Sequence, residues 1–185
     1  MIHFDNVYFG YTSEHMIFNG LTLVIPKGSR IHITGPSGAG KTTFLRLVMG
    51  LEKPLSGKIE CNARRIAPVF QEDRLVESWS GLKNISLGNP TQNEKIAQML
   101  GIEDLLNKQI NELSGGEKRR IALCRALNHN GDLIILDEPF NGIDDNNLEN
   151  CIRAIDCIAN DSTLLLVTHQ QYQADLLNCK NVRIV

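Results

Sequence analysis

The sequence contains few aromatic residues and no pattern of cysteines that would cross-link it. Aromatic residues make up 5% of the 185 positions, and tryptophan occurs only at Trp79. The five cysteines are scattered singly, without a Cys-x-x-Cys pair. This spacing argues against a disulfide framework and against a zinc site. We therefore expect the cysteines to be reduced thiols that act as small apolar side chains, in a fold that needs no disulfide bonds.

Long apolar runs and a secretory leader are also missing. The longest apolar stretches, such as residues 133–136 and 164–167, are far shorter than the roughly 20 residues that cross a bilayer. The first residues do not place a basic segment before an apolar one. We therefore expect no direct membrane span, no secretory signal and a cytoplasmic location, with any membrane link made through a partner.

The chain has no extreme charge. Its 19 basic and 21 acidic residues give a net charge of −2, and the densest basic cluster is Lys118-Arg119-Arg120. Since a nucleic-acid surface needs a longer basic patch, we expect no nucleic-acid partner. The length and the 42% apolar content are those of one globular domain with a sizeable core.

The order of local signals predicts an α/β fold. Short extended segments at residues 2–8, 21–25, 30–34 and 58–61 predict a partly antiparallel sheet in the first third. A helical pattern at 41–49, which ends at Gly50, follows the third of these segments.

The rest of the chain divides into a polar helical part and an alternating part. Residues 72–112 carry no strong strand signal, so we predict a small helical subdomain there. Helices at 115–127 and near 147–159 alternate with buried strands at 133–136 and 163–167. This alternation is typical of a parallel sheet with helices on both faces.

The strongest motif is Gly35-Pro36-Ser37-Gly38-Ala39-Gly40-Lys41-Thr42, which matches the phosphate-loop pattern G-x-x-x-x-G-K-[ST] without gaps. Its glycines let several backbone N–H groups point at phosphates, at the start of a helix. Lys41 adds a full positive charge, and Thr42 offers a hydroxyl to Mg²⁺. The alternative, a glycine-rich turn with an exposed lysine, does not explain why the motif lies between a predicted strand and a predicted helix.

Two carboxylates, Asp137 and Glu138, follow the buried strand at 133–136. Ligands of open α/β sheets bind at this end of the strands. Asp137 suits a metal-holding role, and Glu138 suits a base that orients an attacking water. Charged residues that merely end a strand would be the ordinary interpretation of this pair without the phosphate loop.

A third motif, Leu113-Ser114-Gly115-Gly116-Glu117, lies between the other two. Ser114 and Glu117 have the spacing of a capping box, and the two glycines leave the first backbone N–H groups of the helix uncovered. Such helix starts bind anions. In isolation the pentapeptide fits a simple helix cap equally well.

Taken together, these motifs resemble the ATP-binding cassette (ABC) ATPase family over nearly the whole chain. The resemblance implies a P-loop NTPase (RecA-like) core at residues 1–71 and 113–185, with an N-terminal antiparallel β-subdomain and a small helical subdomain inserted at 72–112. It implies that residues 113–117 are the family signature. It further implies that Asp137 is the Walker B aspartate and Glu138 the catalytic glutamate of an enzyme that hydrolyses ATP.

The remaining family motifs occur in the expected order. By resemblance, Tyr11 stacks on adenine, Gln71 senses Mg²⁺ and the attacking water, Asp144 is the D-loop aspartate, and His169 is the switch histidine. The implied ATP-binding residues are Tyr11, Gly35, Pro36, Ser37, Gly38, Ala39, Gly40, Lys41, Thr42, Thr43, Ser114, Gly115, Gly116, Glu117 and Asp144. The implied catalytic residues are Glu138, His169 and Gln71, and the implied Mg²⁺ ligands are Thr42, Gln71 and Asp137.

Cassettes of this family pair head to tail, so the resemblance implies an ATP-dependent homodimer with two active sites. A single cassette resembles the separately encoded ATPase subunit of a bacterial importer, held at the inner face of the membrane by a permease. Residues 71–75 are similar to those of nitrate, sulfonate and taurine importers. The interval between Gln71 and Ser114 is short for the family, which implies a small helical subdomain. The sequence ends soon after His169, which implies that no regulatory domain is appended.

Two other functions stay open on the sequence. A soluble ABC ATPase could use ATP-gated dimerisation as a switch, without transport. A nucleotide kinase would also need the phosphate loop, but it has no use for residues 113–117. Gene neighbourhood or copurification with a permease separates the first of these from the importer.

Overall fold

The computed structural model describes residues 1–12, 14–87 and 93–184. An antiparallel sheet has the strand order β2-β1-β4, with β1 at Ile2–Thr12, β2 at His15–Ile25 and β4 at Ser56–Cys61. β1 and β2 pair over more residues than the sequence predicts. The pairing continues through several register irregularities, which interrupt the alternation of apolar residues that marks a strand in sequence.

The second sheet is parallel and has the strand order β5-β6-β7-β3-β8. Its strands are β3 (Arg30–Thr34), β5 (Ile66–Val69), β6 (Leu133–Asp137), β7 (Thr163–Val167) and β8 (Lys180–Arg183). The grouping of residues 30–34 with the antiparallel segments was wrong, since β3 lies between β7 and β8. β8 was not predicted, because an edge strand with the sequence Lys-Asn-Val-Arg carries little apolar signal.

Successive side chains of the central strands enter two different cores. Leu133 and Ile135 of β6 join the aromatic and aliphatic residues of the antiparallel sheet and of α1 (Lys41–Val48). Ile134 and Leu136 join the cluster on the opposite face. This alternation is that of a parallel sheet buried on both faces, as the sequence predicts.

The helices that cover the second face are α4 (Gly115–Asn128) and α5 (Asp145–Ile158). The segment 72–112 contributes α2 (Gly81–Ile85), α3 (Asn93–Met99) and two 3₁₀ turns at Glu103–Leu105 and Ile110–Glu112. Residues 88–92 of that segment lie outside the described residues. Its buried side chains, such as Ile85 and Leu100, belong to the same cluster as those of α4.

The structure has one further short helix, α6 (Gln171–Leu176), which the sequence analysis did not predict. Gly50 follows the C-terminus of α1 with φ 68°, which confirms its predicted role as a helix stop. Over residues 1–12, 14–87 and 93–184, no helix has the length and apolar character needed to cross a bilayer.

Candidate active site

The phosphate loop connects the end of β3 to the start of α1, where the sequence predicts it. Gly38 and Gly40 have φ of 81° and 86°, which is left-handed backbone that favours glycine. A Cβ at Gly40 would overlap the side chain of Ile17 on β2. Glycine is therefore required at position 40 both by the backbone conformation and by the neighbouring strand.

Lys41 and Thr42 begin α1 and make different contacts. The Lys41 Nζ donates to the backbone oxygens of Gly35 and Pro36 at 2.9 Å and 3.0 Å. The Thr42 hydroxyl donates to Asp137 Oδ2 at 2.9 Å. The end of β6 is thereby joined to the phosphate loop. Burial raises the pKa of Asp137, and the hydrogen bond from Thr42 opposes that rise.

Glu138 has an unusual backbone and a buried carboxylate. Its φ is 50°, a left-handed conformation that is uncommon for a residue with a side chain and recurs at functional sites. Its Oε1 is buried without a hydrogen bond and lies 3.4 Å from Nε2 of His169. Burial raises the pKa of Glu138, and the adjacent His169 opposes that rise. A buried oxygen without a hydrogen bond is uncommon, and Glu138 lines the adjoining cavity.

These side chains line one cavity of about 300 Å³. Its lining consists of Ile17, Ser37, Gly38, Gly40, Lys41, Thr42, Thr43, Gln71, Asp137, Glu138, Val167 and His169. The structure thus brings together the phosphate loop, both carboxylates, the glutamine and the histidine. The hydroxyl of Thr42, the carboxylate of Asp137 and the amide of Gln71 supply the oxygen donors that Mg²⁺ prefers, so the residues present fit that ion.

Tyr11 lies beside the start of α1, at the end of β1. Its hydroxyl is 3.3 Å from that of Thr43, and the Arg46 guanidinium donates to it at 3.4 Å. The side chain is 53% exposed. An exposed ring beside the phosphate loop fits the predicted stacking on a base, which stays a prediction.

The signature pentapeptide forms the predicted capping box. The Ser114 hydroxyl accepts from the Glu117 N–H at 3.4 Å, and Glu117 Oε2 accepts from the Ser114 N–H at 2.8 Å. The same carboxylate oxygen accepts from the Ser114 hydroxyl at 2.7 Å. These hydrogen bonds hold the pKa of Glu117 below its usual range. The Glu117 side chain therefore serves the start of its own helix.

The signature lies beside the segment that leads to α5, away from the phosphate-loop cavity. Gly116 faces the backbone of Gly142, and Asp144 caps α5 by accepting from the Asn147 N–H at 3.0 Å. Neither residues 114–117 nor Asp144 lines the phosphate-loop cavity. The predicted site residues thus fall into two groups within one chain, one at the phosphate loop and one at the start of α4.

The two signature glycines have different surroundings, so replacing each of them with alanine is expected to affect stability differently. A Cβ at Gly116 would overlap the Gly142 oxygen, whereas a Cβ at Gly115 has no neighbour within 4 Å. We expect Gly116→Ala to lower the free energy of unfolding by about 1–3 kcal/mol, which is the usual effect of overpacking. We expect Gly115→Ala to leave the melting temperature unchanged. Thermal denaturation of both variants checks this, and equal melting temperatures would contradict it.

The structure also reveals residues near the site that the sequence analysis did not assign. Arg119 on α4 bonds to the backbone of Gln71, and Arg46 reaches Tyr11. The buried ring of His32 on β3 contacts the backbone oxygen of Thr168 at 3.1 Å. In the sequence Arg119 belongs to a basic cluster, and nothing in that local pattern indicates that its side chain is buried.

A glycine loop between strand and helix, with a buried aspartate at the end of a neighbouring strand, defines a P-loop nucleotide-binding protein. A profile described as ABC transporter matches residues 18–141. The chain belongs to this family, and it is an ABC ATPase that binds ATP.

Curated relatives cover most of the chain. The thiamine import ATP-binding protein ThiQ of Haemophilus influenzae is 36% identical over 192 residues, which cover 92% of this chain and 88% of that protein. The aliphatic sulfonates import ATP-binding protein SsuB 1 of Rhodococcus jostii is 34% identical over 172 residues, which cover 88% of this chain and 70% of that protein.

Solved structures share the fold. A dimeric ATP-binding cassette in a post-hydrolysis state with ADP and Pi has a TM-score of 0.86 at 23% identity, and the match covers 100% of this chain and 94% of that one. A bacterial ABC exporter with ATP bound has a TM-score of 0.88 at 24% identity, covering 100% of this chain and 36% of that one. These likenesses confirm the predicted fold class.

Proposed function

We propose that this chain is the ATP-hydrolysing subunit of a solute importer, and that it works as an ATP-bound head-to-tail homodimer against a separate membrane permease. The observation that supports the dimer is that the predicted site residues form two separate groups in one chain, one at the phosphate loop and one at the start of α4. The start of α4, with exposed Ser114 and open space at Gly115, lies outside the cavity formed by its own phosphate loop. Helix N-termini of this kind bind phosphates, so a second copy supplies the missing partner.

In this proposal the phosphate loop of one copy holds the ATP, and the start of α4 of the other copy closes over it. The Lys41 ammonium and the N–H groups of residues 38–42 bind the outer phosphates. Mg²⁺, when bound, neutralises phosphate charge, and Thr42, Asp137 and Gln71 are the residues that would hold it. Tyr11 faces the base, and Asp144 fixes the start of α5 beside the signature.

Glu138 acts as the base in this proposal. Its buried Oε1 accepts a hydrogen bond from the attacking water, takes up a proton as that water attacks, and thereby orients the nucleophile. His169, whose Nε2 lies 3.4 Å from that oxygen and whose side chain is 67% exposed, contacts the terminal phosphate in this proposal. Loss of that phosphate removes contacts shared by both copies, so hydrolysis weakens the dimer.

The permease and the direction of transport rest on the relatives. ThiQ and SsuB 1 are both named as import ATP-binding proteins, so import is the direction we propose. The location follows from the same argument, because a chain that drives a permease from the ATP-containing side lies at the cytoplasmic face of the membrane. Thiamine is the first solute to test, since several of the relatives are named for its import.

Copurification from native membranes tests this proposal. Tagged protein is captured from detergent-solubilised membranes and, separately, from the cytosol of the same cells. We expect the membrane fraction to yield a stoichiometric polytopic membrane protein. If all of the protein is instead recovered from the cytosol as a partner-free dimer, the importer proposal is wrong and the soluble switch replaces it. Thiamine uptake by cells with and without the chain then tests the solute.

A further inference from the structure

The side chain of Arg119 is almost completely buried, although it carries a permanent charge. It lies on α4, between the signature and the middle of the helix, and it is 4% exposed. A buried guanidinium is costly unless hydrogen bonds and an opposite charge compensate it. The partners of Arg119 therefore indicate what its burial achieves.

The three residues that Arg119 contacts through hydrogen bonds or an ion pair lie in the four-residue segment 70–73, which follows β5. Nη1 donates to the backbone oxygen of Phe70, and Nη2 donates to that of Gln71, both at 2.7 Å. Nη1 also lies 3.0 Å from Oδ1 of Asp73. Charge-assisted hydrogen bonds of this length are among the stronger polar contacts in proteins. The guanidinium thus binds the carbonyl oxygens of the two peptide groups that flank Gln71.

Gln71 is the residue of this segment that lines the phosphate-loop cavity. The segment has no helix or strand of its own, so its backbone oxygens depend on contacts from elsewhere. We propose that Arg119 is a positioning residue for the ATPase reaction, which sets the place of Gln71 at the Mg²⁺ and water position. This inference rests on the proposed function of Gln71 and deepens it.

The geometry also explains why the residue is arginine. A planar guanidinium presents two N–H groups that can reach two successive backbone oxygens at once. A lysine ammonium has a single nitrogen and would lose one of these contacts. A glutamine amide at position 119 keeps one donor group but loses the charge that pairs with Asp73.

Arg125, further along the same helix, offers a matched control. Its guanidinium donates to the backbone oxygens of Asp73 and Arg74, each at 2.9 Å. The kind of contact is the same, but it holds residues beyond Gln71. Substitution of Arg125 therefore tests whether loss of any contact between α4 and the residues after β5 affects ATP turnover as loss of Arg119 does.

The experiment compares Arg119→Gln, Arg119→Lys, Arg125→Gln and Asp73→Asn with the wild-type protein. The measurements are kcat, the Mg²⁺ concentration for half-maximal turnover, binding of a fluorescent ATP analogue in EDTA, and melting temperature. We expect Arg119→Gln to lower kcat about 10- to 100-fold, which is the size of effect that misplacement of a reacting group produces. We also expect it to raise the half-saturating Mg²⁺ concentration several-fold and to leave metal-free nucleotide binding unchanged.

The controls separate positioning from general stability. Asp73→Asn keeps the two bonds from Arg119 to backbone oxygens, so its kcat is expected to stay within about threefold of wild type. Arg125→Gln is expected to lower the melting temperature as Arg119→Gln does, without a shift in the Mg²⁺ requirement. Arg119→Lys is expected to lie between Arg119→Gln and wild type in kcat, and it replaces Arg119→Gln if that variant does not fold.

Three outcomes would overturn the inference. A folded Arg119 variant with wild-type kcat and Mg²⁺ requirement would make the contact purely structural. Equal shifts in Arg125→Gln and Arg119→Gln would assign the effect to anchoring in general. An Asp73→Asn variant as impaired as Arg119→Gln would assign it to the ion pair. Failure of the proposed function can be distinguished from failure of this inference. In that case the wild-type protein itself would show no ATP turnover that depends on Glu138, as measured with Glu138→Gln.

Discussion

Replacing Glu138 by glutamine is expected to lower ATP turnover by about 100-fold or more, the upper range for loss of a general base. Glutamine keeps the size of the side chain and can hydrogen-bond to water, but it cannot take up a proton. The carboxylate it replaces is buried, with Oε1 free of hydrogen bonds. ATP binding is expected to persist, so the variant should accumulate as an ATP-bound dimer. Phosphate release and sedimentation with and without Mg²⁺-ATP measure the two effects.

We expect Glu138→Gln to lose turnover without losing its fold, for a reason that can be measured. Burial raises the pKa of Glu138 in the folded protein, so its ionised form opposes folding at pH values above that raised pKa. The neutral amide removes this cost, and the melting temperature near pH 8 should not fall. Glu149→Gln is the matched control, because the Glu149 side chain is 74% exposed on α5. Equal turnover in wild type and Glu138→Gln would remove Glu138 from the mechanism.

Replacing Ser114 by arginine is expected to abolish both ATP-driven dimerisation and turnover. Ser114 is exposed at the start of α4, and a long charged side chain there would fill the space that the proposed dimer gives to the partner's ATP. Nucleotide binding by the phosphate loop is expected to stay largely intact, because Ser114 does not line the cavity at the phosphate loop. Equilibrium binding of a fluorescent ATP analogue and sedimentation of the Mg²⁺-ATP complex check the two expectations.

A second serine provides the control for the loss of a helix cap. Ser80 caps α2 by accepting from the Lys83 N–H at 3.2 Å, so Ser80→Arg removes a similar cap at the start of a different helix. Each substitution should cost about 1 kcal/mol of stability. Only Ser114→Arg should stop turnover. If Ser114→Arg keeps its turnover, the proposal that the signature contacts the partner's ATP is wrong. The assignment of the phosphate loop as the nucleotide-binding site would not be affected.

Local rules were sufficient for much of the fold because the relevant signals are short in sequence. The capping box at Ser114 and the helix stop at Gly50 need only their own neighbours, and the structure has both. The buried strands at 133–137 and 163–167 carry continuous apolar runs. The boundaries of β1 and β2 were less accurate, since cross-strand pairing extends strands through residues of mixed polarity.

The sequence by itself determined the family, the nucleotide chemistry and the order of the motifs, because each motif is a local pattern with a local physical reason. Only the tertiary structure decided that β3 lies inside the parallel sheet, that Glu138 has a buried and unbonded oxygen, and that Arg119 holds the backbone of Gln71. Only it separated the signature from the phosphate loop of the same chain. These features depend on burial and on contacts between residues far apart in sequence, and burial is what changes the energy of a charge.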